Sequence, residues 1–300
     1  SKLPKVLHQL AGRPMVQYVL DALAPLSPEH VVMVVGHGRD AVQQAVGPSV
    51  SCVTQEPQLG TGHAVLQAQS LLATWPGDVL VLYGDTPLLR ATTLEALLTS
   101  HRRSGAASTM LTAIVEDPAG YGRVERGEGG EVRAIVEERA ATPAQRGIRE
   151  INSGVYCFRS PWLWAHLGRL ERSEKGEYYL TDLVAMAVQE GEAVTALVAG
   201  DPAEAMGINT RVQLAEAEEV IRWRIRRDLM LGGTTLVDPG STYVDAGVQI
   251  GQDTIVYPNC LIEGVTVIGD DCIIGPNSHL INARLGRGCP QARHAARLRG

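Results

Sequence analysis

Apolar segments of two kinds alternate along the first two thirds of the chain. From Pro4 to about residue 200, short runs rich in Val, Ile and Leu are separated by segments in which apolar residues recur every three or four positions. The short runs predict strands, and the wider spacing predicts amphipathic helices. Alternation of the two is typical of a doubly wound α/β domain, in which ligands bind beyond the carboxyl ends of the strands.

The predicted strands are dense in β-branched and other apolar residues, which is typical of strands buried on both faces of a parallel sheet. They lie at 31–38, 78–85, 107–115, 151–158 and 193–200. The first ends in Gly36-His37-Gly38 and the second in Tyr83-Gly84-Asp85, so both tripeptides are predicted at the ligand-binding edge. Helical spacing predicts helices at 15–23, 64–73, 92–103 and 181–191. A longer helix is predicted over 212–229, closed by Gly232 and Gly233.

Beyond this helix the hydrophobic period changes to six residues. The recurring aliphatic positions are Val244, Ile250, Val256, Ile262, Ile268, Ile274 and Leu280. The positions two before them are small or β-branched: Val248, Thr254, Cys260, Thr266, Cys272 and Ser278. Neither a helix nor an ordinary strand repeats every six residues, whereas a left-handed parallel β-helix does, with these side chains pointing inward. At roughly 18 residues per coil only about two coils fit, so we expect a truncated β-helix.

Composition narrows the function classes. The net charge of −6 argues against broad nucleic-acid binding, and a hydrophobic content of 45% predicts a globular protein with a substantial core. No apolar run approaches membrane-spanning length, so no membrane insertion is expected. The five cysteines show no C-x-x-C pair and no His partners at metal-binding spacing, which favours a reduced, cytoplasmic setting. The chain begins without an initiator Met and loses its repeat after Leu285, so we expect truncation at both ends.

Polar residues at the predicted sheet edge are the first candidates for chemistry. Asp85 follows a strand directly and is either a ligand for Mg²⁺ or a cap for the next turn. Gly60-Thr61-Gly62 precedes a helix and either presents backbone donors to a nucleotide or forms a simple turn. Lys5 lies just before a helical segment, and its spacing alone favours a solvated surface lysine.

A second group of candidates follows the third strand. Gly122 lies in Gly120-Tyr121-Gly122-Arg123, and Glu137 and Asn152 fall on neighbouring predicted elements. Each is either a ligand contact or an ordinary structural residue, namely a hairpin glycine, a surface acid and a turn amide. The segment 177–182 is either part of a site or the start of a helix capped by Thr181 or Asp182.

Taken in order, seven segments are similar to one family. They are LPKVLHQLAGRPMVQYVLDAL, QLGTGHA, VLYGDTPLL, GYGRV, IVEERAATPAQRGIREINSGVY, GEYYLTDLV and GINTRVQL. They resemble the bacterial bifunctional GlmU family, which joins an N-acetylglucosamine-1-phosphate uridylyltransferase to a glucosamine-1-phosphate N-acetyltransferase. The resemblance runs from residue 2 to about residue 286. Single motifs such as GYGR are weak signals, whereas their order is highly specific.

The resemblance implies three regions and one reaction. A Rossmann-like uridylyltransferase domain would span 1–211, a linking helix 212–233, and the start of the hexapeptide β-helix 234–300. The first domain would transfer UMP from UTP to N-acetylglucosamine 1-phosphate with Mg²⁺ as cofactor. Its products would be pyrophosphate and UDP-N-acetylglucosamine, a cell-wall precursor. Full-length members of the family are expected to form homotrimers.

On the nucleotide side, the resemblance implies roles for four residues. Lys5 would contact the nucleotide phosphates and take part in catalysis. Gln55, Gly60 and Thr61 would hold the uracil base, with small side chains allowing a flat base to approach the backbone.

On the sugar side, the resemblance implies a reaction centre and a set of contacts. Tyr83, Gly84 and Asp85 would lie at the reaction centre. The amino sugar would contact the three residues Gly122, Glu137 and Asn152. The substrate site would also include Mg²⁺ held by Asp85 and Asn209.

Two departures from the family keep alternatives open. The family's nucleotide-binding loop, L-A-A-G-x-G-T-R-M, is expected just before Ser1, and the later coils of the acetyltransferase domain are absent from the sequence. We therefore expect that acetyltransferase activity is lost. The alternatives are a nucleotidyltransferase for another sugar 1-phosphate, and an inactive remnant that binds nucleotide or assembles through its β-helix.

Overall fold

The structure is a computed structural model that describes residues 3–290 and the backbone of residues 296 and 297. These residues form two compact units. Unit 1 contains the described residues up to Leu7 together with Met15–Gly207, and unit 2 contains His8–Pro14 with the described residues from Ile208 onward. The predicted boundaries at 211 and 233 stay a prediction. Part of the carboxyl-terminal segment in which the repeat is lost lies outside the described residues.

The helices follow the predicted apolar spacing. They are α1 (Met15–Leu23), α2 (Arg39–Val46), α3 (Thr61–Gln67), α4 (Gln69–Leu72), α5 (Ala91–Ser104), α6 (Pro143–Arg146), α7 (Ser160–Leu167), α8 (Asp182–Gln189) and α9 (Arg211–Leu231). Short 3₁₀ helices occupy Lys5–Leu7, Ala24–Leu26, Pro202–Ala205 and Pro239–Ser241. The five predicted helices are confirmed, with the one at 64–73 divided into α3 and α4. Among the described residues, no helix combines the length and apolarity needed to cross a membrane.

Strands of two lengths distinguish the two units. They are β1 (Gln9–Leu10), β2 (Arg13–Pro14), β3 (Val32–Val35), β4 (Ser51–Thr54), β5 (Asp78–Val81), β6 (Ser108–Ile114), β7 (Arg123–Arg126), β8 (Val132–Val136), β9 (Glu150–Arg159), β10 (Val194–Val198), β11 (Thr235–Leu236), β12 (Tyr243–Val244), β13 (Gln249–Ile250), β14 (Ile255–Val256), β15 (Leu261–Glu263), β16 (Val267–Ile268), β17 (Ile273–Ile274), β18 (His279–Ile281), β19 (Arg284–Leu285) and β20 (Ala296–Arg297). The five strands predicted in the first 200 residues are confirmed.

Unit 1 contains a mixed six-stranded sheet rather than a wholly parallel one. Its order is β10-β6-β9-β7-β8, and β5 also pairs with β9. Only β10 and β6 are parallel in this sheet; β9 runs antiparallel to β5, β6 and β7. The strands β3 and β4 form a separate parallel pair. The apolar run 78–85 therefore does not lie between parallel neighbours as predicted. A ten-residue β9 crosses the centre of the sheet, and β5 takes it as its antiparallel partner.

Helices supply the apolar cover of this sheet. Leu94 and Leu97 of α5 and Leu183 and Val184 of α8 are completely buried. Apolar residues of this kind recur at helical spacing on one face, and each stabilises the fold by about 1.5–3 kcal/mol when fully buried. The apolar cores within unit 1 include one that contains α8, one that contains α5 and one that contains Val42 and Val46 of α2.

Unit 2 contains the predicted left-handed parallel β-helix. Three parallel ladders run β11-β14-β17, β12-β15-β18-β20 and β13-β16-β19. The register joins Gln249 to Val267 and Ile255 to Ile273, which is one coil every 18 residues. Every aliphatic position of the six-residue repeat is buried except Ile250, which is half-buried.

The corners of the coils explain the polar and glycine positions of the repeat. Left-handed φ angles of 50° to 60° occur at Asp253, Asn259, Asp271, Asn277 and Asn282. Asn and Asp tolerate this region better than other residues with a Cβ. A Cβ on Gly251 or Gly269 would lie within 2.7 Å of backbone atoms of the next coil. Glycine is thus needed there because successive coils stack backbone on backbone.

The long helix α9 and a short hairpin complete unit 2. Thr210 accepts from the Gln213 N–H, and the Gln213 side chain accepts in return from the Thr210 N–H, so a capping box starts α9. The hairpin β1–β2 is held by two backbone bonds of Ala11. Its N–H donates to Glu218 at 2.9 Å, and its carbonyl accepts from Ala246 at 3.0 Å.

Candidate functional site

The carboxyl end of β5 carries the central acid of the candidate site. Thr86 closes the turn that follows this strand, since both its N–H and its hydroxyl donate to the Tyr83 carbonyl at 3.3 and 2.8 Å. The Asp85 carboxylate instead forms an ion pair with the Lys5 ammonium. The side chain of Asp85 is 18% exposed and that of Lys5 is 43% exposed. Lys5 is therefore not only a solvated surface residue, because it partners an acid at the sheet edge.

Close packing brings the amino-terminal segment to this edge. A Cβ on Gly84 would lie 3.1 Å from Val6, and a Cβ on Gly38 would lie 2.6 Å from Pro4. Gly38 has a φ of 77° and precedes α2. The two predicted edge tripeptides thus both pack against the segment that carries Lys5.

The Gly-Thr-Gly turn packs against the chain segment that precedes α8. The Gly62 N–H donates to the Tyr178 carbonyl at 2.8 Å, and the Thr61 hydroxyl accepts from the Leu180 N–H at 3.0 Å. Gly60 has a φ of 94°, and a Cβ there would lie 2.7 Å from the Tyr178 carbonyl oxygen. The glycine at position 60 is therefore required by this contact, and the Gly62 N–H is already used within the protein.

Gln55 is hydrogen-bonded to the same turn. Its side-chain amide donates to the Gly60 carbonyl at 2.9 Å and lies 3.1 Å from Nδ1 of His63. The ring of His63 stacks on Tyr178, with 6.3 Å between centroids. The three residues predicted to hold a base, Gln55, Gly60 and Thr61, are thus neighbours in the structure.

Tyr83 links the acid of β5 to the other half of the site. Its hydroxyl is hydrogen-bonded to Thr61, and its ring lies against Gly154, where a Cβ would be 2.2 Å away. Desolvation raises the pKa of Tyr83 to about 12, and the nearby charges of Glu137 and Asp85 contribute to the same direction. The phenol therefore remains protonated at neutral pH and can donate a hydrogen bond.

A β-bulge in β9 aims Asn152 at this region. The pairing of β9 with β6 shifts register between Met110 and Thr112. Opposite this shift, the Ser153 hydroxyl donates to the Leu111 carbonyl at 2.7 Å, and the Gly154 N–H donates to the Asn152 side chain at 3.1 Å. Bulges commonly redirect a side chain beside a functional site.

Gly122 and Glu137 lie next to Asn152. The Asn152 N–H donates to the Gly122 carbonyl at 2.9 Å. A Cβ on Gly122 would lie 3.7 Å from Cβ of Asn152 and 3.8 Å from a carboxylate oxygen of Glu137. The three residues predicted to contact an amino sugar therefore surround one point in space.

Glu137 is a half-buried acid of this group. Burial raises the pKa of Glu137, and the nearby charge of Asp182 raises it further, whereas a hydrogen bond from Thr181 opposes the change. The Thr181 hydroxyl lies 3.3 Å from the accepting oxygen. Acids with raised pKa values in a polar cleft are typical of functional sites.

Two neighbours of these residues, Gly154 and Arg123, are not among the predicted site residues, and a third, Thr181, is predicted only within the segment 177–182. Thr181 stands at the N-cap position of α8 but makes no capping bond, because its hydroxyl donates to Glu137. Gly154 makes room for the Tyr83 ring, and Arg123 forms an ion pair with Glu138 beside Glu137. The glycine within the strand-like sequence INSGVY was the available signal, since such a glycine often marks a bulge.

Asn209 lies outside this group, in unit 2. It is exposed and precedes the Thr210 cap of α9, and its N–H donates to the Gln213 side chain at 2.8 Å. Its role as a metal ligand stays a prediction.

Family comparison covers the part of the chain that carries this cluster. The family model described as Nucleotidyl transferase matches residues 1–203 of the 300. This chain belongs to the nucleotidyl transferase family. Its nucleotidyl transferase part includes all the candidate residues from Lys5 to Asn152. A second model, Bacterial transferase hexapeptide (six repeats), matches residues 247–282, where the parallel ladders lie.

Individual nucleotidyl transferase relatives match nearly the whole chain. The bifunctional protein GlmU of Brevibacillus brevis is 47% identical over 289 residues, which cover 96% of this chain and 63% of that protein. The protein of the same name from Pelobacter propionicus is 50% identical over 293 residues, covering 96% and 64%. The resemblance to the GlmU family is thereby confirmed. The chain spans a little under two thirds of the length of these relatives.

Nucleotidyl transferases of this kind generally use a divalent metal ion. The hard carboxylate oxygens of Asp85, which already pair with a cation, suit such an ion. No group of three or more His, Cys, Asp or Glu residues in the described part of the chain is arranged to hold a metal. An ion held at Asp85 would thus need other oxygen donors, such as substrate phosphates and water.

Proposed function

We propose that this protein transfers UMP from UTP to N-acetylglucosamine 1-phosphate, releasing pyrophosphate and forming UDP-N-acetylglucosamine. The observation that carries the proposal is the single cluster around Tyr83. Asp85, which pairs with Lys5, and Glu137 both lie close enough to the Tyr83 phenol for their charges to raise its pKa. One half of the cluster suits phosphate groups, and the other offers polar groups suited to sugar hydroxyls and an amide.

The reaction needs no protein nucleophile. A phosphate oxygen of the sugar 1-phosphate attacks the α-phosphorus of UTP, and the bond from that phosphorus to the bridging oxygen of the β-phosphate breaks. The chain's task is to align two polyanions and reduce the repulsion between them. Lys5 contributes a positive charge to the phosphates, and the protonated Tyr83 hydroxyl contributes a hydrogen-bond donor.

The proposed cofactor is Mg²⁺, with Asp85 as its ligand in unit 1 and Asn209 as a second ligand from the sequence resemblance. When bound, Mg²⁺ would neutralise phosphate charge and orient the reacting groups. At the nucleotide base, Gln55, Gly60 and Thr61 are proposed to bind uracil, which is supported by their adjacency on one turn.

The choice of sugar is supported by the polar groups around Glu137. Asn152 offers an amide, Glu137 an acceptor and Thr181 a hydroxyl, and Gly122 lies beside both Asn152 and Glu137. Such groups match a sugar that carries both hydroxyls and an acetamido group. A preference for glucose 1-phosphate or mannose 1-phosphate is the second candidate function, which belongs to the same reaction class.

The test is a panel of sugar phosphates. The protein is expressed from its complete reading frame, so that any residues encoded before Ser1 or after Gly300 are included. UTP, Mg²⁺ and one sugar 1-phosphate are added, and pyrophosphate release is followed. We expect turnover with N-acetylglucosamine 1-phosphate and its loss on chelation of divalent ions. Faster turnover of another sugar 1-phosphate would identify that compound as the substrate in place of N-acetylglucosamine 1-phosphate. The absence of turnover with every sugar phosphate would indicate a non-catalytic protein.

We further propose a cytoplasmic, trimeric protein. The five cysteines, all free of disulfide bonds, support a reducing location, and the hexapeptide match supports assembly through the β-helix. Light scattering on the purified protein tests the trimer, and a monomeric mass at micromolar concentration would refute it.

A further inference from the structure

Arg123 is a buried cation that the proposed reaction does not use. It is the first residue of β7, and only 2% of it is exposed. Its register partners are Val136 of β8 and Ile151 of β9, so it lies in the middle of a three-strand region. Burial of a charge is costly unless it is paired, so a buried arginine has a structural or functional reason.

The partner of Arg123 is Glu138, which lies two residues after the end of β8. A terminal nitrogen of the guanidinium is 2.6 Å from Oε2 of Glu138, and the other terminal nitrogen donates to the Tyr121 carbonyl. Oε2 of Glu138 also accepts from the Gly120 N–H at 3.2 Å. The hydrogen bond from Arg123 is the largest influence that lowers the pKa of Glu138, so this acid stays ionised at neutral pH.

These bonds connect the loop before β7 to the segment after β8. The loop that contains Gly120 and Tyr121 is bonded to Glu138, in the segment after β8, through the Arg123 guanidinium and through the Gly120 N–H. The next residue before Arg123 is Gly122, and the next residue before Glu138 is Glu137. Arg123 is in register with Val136 and Ile151, the residues before Glu137 and Asn152, so its side chain lies on the sheet face opposite to theirs.

Besides the β7–β8 pairing of Arg123 with Val136, the ion pair thus helps to set the separation of Gly122 and Glu137. A Cβ on Gly122 would lie 3.8 Å from the Glu137 carboxylate, and the Gly122 carbonyl accepts from Asn152. A shift of either segment by a fraction of an ångström would change the space between all three residues. Displacements of this size are enough to weaken binding of an oriented substrate.

We propose that Arg123 is a positioning residue for the sugar phosphate, acting through its ion pair with Glu138 and without touching the substrate. The inference rests on the proposed function, because it assigns the neighbouring residues to the sugar. The nucleotide is bound by other residues, so loss of the pair is expected to alter sugar recognition selectively.

The test compares two substitutions that break the pair in different ways. Arg123→Lys keeps the charge but loses the planar fork, and Glu138→Gln keeps the shape but loses the acid. KM values for N-acetylglucosamine 1-phosphate and for UTP are measured separately on protein from the complete reading frame. Each variant is expected to raise the KM for the sugar phosphate by about tenfold and to change the KM for UTP by less than about twofold. The double variant is expected to show less than the product of the two effects, since both remove one interaction.

The matched control is Arg133→Gln, which breaks an exposed ion pair to Glu131 on the same β7–β8 hairpin. It is expected to leave both KM values unchanged. Circular dichroism at the assay temperature establishes the folded fraction, and Glu138→Gln decides the matter if Arg123→Lys fails to fold. Unchanged sugar KM values, or equal changes for both substrates, would overturn the positioning role while leaving the reaction intact. Absence of UMP transfer by the unaltered protein would overturn the proposed function itself, and the positioning role with it.

Discussion

At the residue scale, Asp85 is the side chain on which the proposed phosphate chemistry depends most. It pairs with Lys5 at the end of β5 and influences Tyr83 through its charge. We expect Asp85→Asn to lower kcat/KM by about 10²-fold or more, because it removes a charge that balances the cationic groups at the transferring phosphate. Pyrophosphate release measures the change. Glu95→Gln, an exposed acid on α5, is the control for loss of a negative charge, and equal losses in the two variants would contradict the assignment.

Glu137 is expected to show a conflict between stability and binding. Burial raises its pKa in the folded protein, so the folded state binds a proton more readily than the unfolded state and the ionised form costs stability at neutral pH. Glu137→Gln is therefore expected to raise the free energy of unfolding at pH 7. This gain disappears as the pH falls through the raised pKa of Glu137, where the native acid is itself neutral.

The substitution Glu137→Gln is also expected to weaken binding of the sugar phosphate, because the amide replaces a charged hydrogen-bond acceptor. Urea unfolding at pH 7 and at pH 4, together with the KM for the sugar, measures both effects. Glu128→Gln in the exposed β7–β8 turn is the control. A loss of stability at pH 7 in Glu137→Gln would contradict the sign derived from the pKa.

At the scale of elements, the Gly-Thr-Gly turn at the start of α3 packs against the segment before α8. Gly60→Ala introduces a Cβ at a φ of 94° and 2.7 Å from the Tyr178 carbonyl oxygen. We expect a loss of about 1–3 kcal/mol from the free energy of unfolding, since both strain and overlap act in the same direction. Gly168→Ala, at the end of α7 with φ of −73° and open space around it, is the matched control. Equal unfolding midpoints for the two variants would refute the packing role.

Periodic elements could be predicted from the sequence because their side chains repeat a local geometry. The helix α1 occupies the predicted residues 15–23. The six-residue repeat arises because one residue in six points into the β-helix at the same place in each turn of the chain. The antiparallel pairing of β5 and the register of the bulge near Ser153 do not follow from such a period, although Gly154 within INSGVY is a local sign of a bulge. Both are set by β9, which is distant in the chain from β5 and β6.

The site shows the same division between local and distant causes. Asp85 and Gly60 were recognisable because a strand end and a glycine turn are local signals. The place of Thr181 before α8 is consistent with either a helix cap or a part of a site. Its bond to Glu137 spans 44 residues, and only the fold brings the two together.

At the scale of the whole molecule, the two units are expected to unfold separately, because the apolar clusters around α8, α5, α2 and the β-helix each contain residues of one unit alone. Ile262 is completely buried within the β-helix, and its apolar cluster contains only residues of unit 2. Ile262→Ala is expected to destabilise the β-helix by about 2–5 kcal/mol and to shift one of two thermal transitions. Differential scanning calorimetry follows both. Leu261→Ala, at the adjacent and 40% exposed position, is the control, and an equal shift in both transitions would contradict independent cores.

The hairpin at His8–Pro14 belongs to unit 2 although the chain on both sides of it belongs to unit 1. The polypeptide accordingly passes from one unit to the other three times, after Leu7, after Pro14 and after Gly207. A protease that severed only the bond after Gly207 would leave the hairpin on the amino-terminal piece, still bonded through Ala11 to Glu218 and Ala246 of the other piece. The two fragments of such a nicked molecule are expected to co-elute in gel filtration and to separate only in denaturant, because the amino-terminal fragment contributes a hairpin to unit 2.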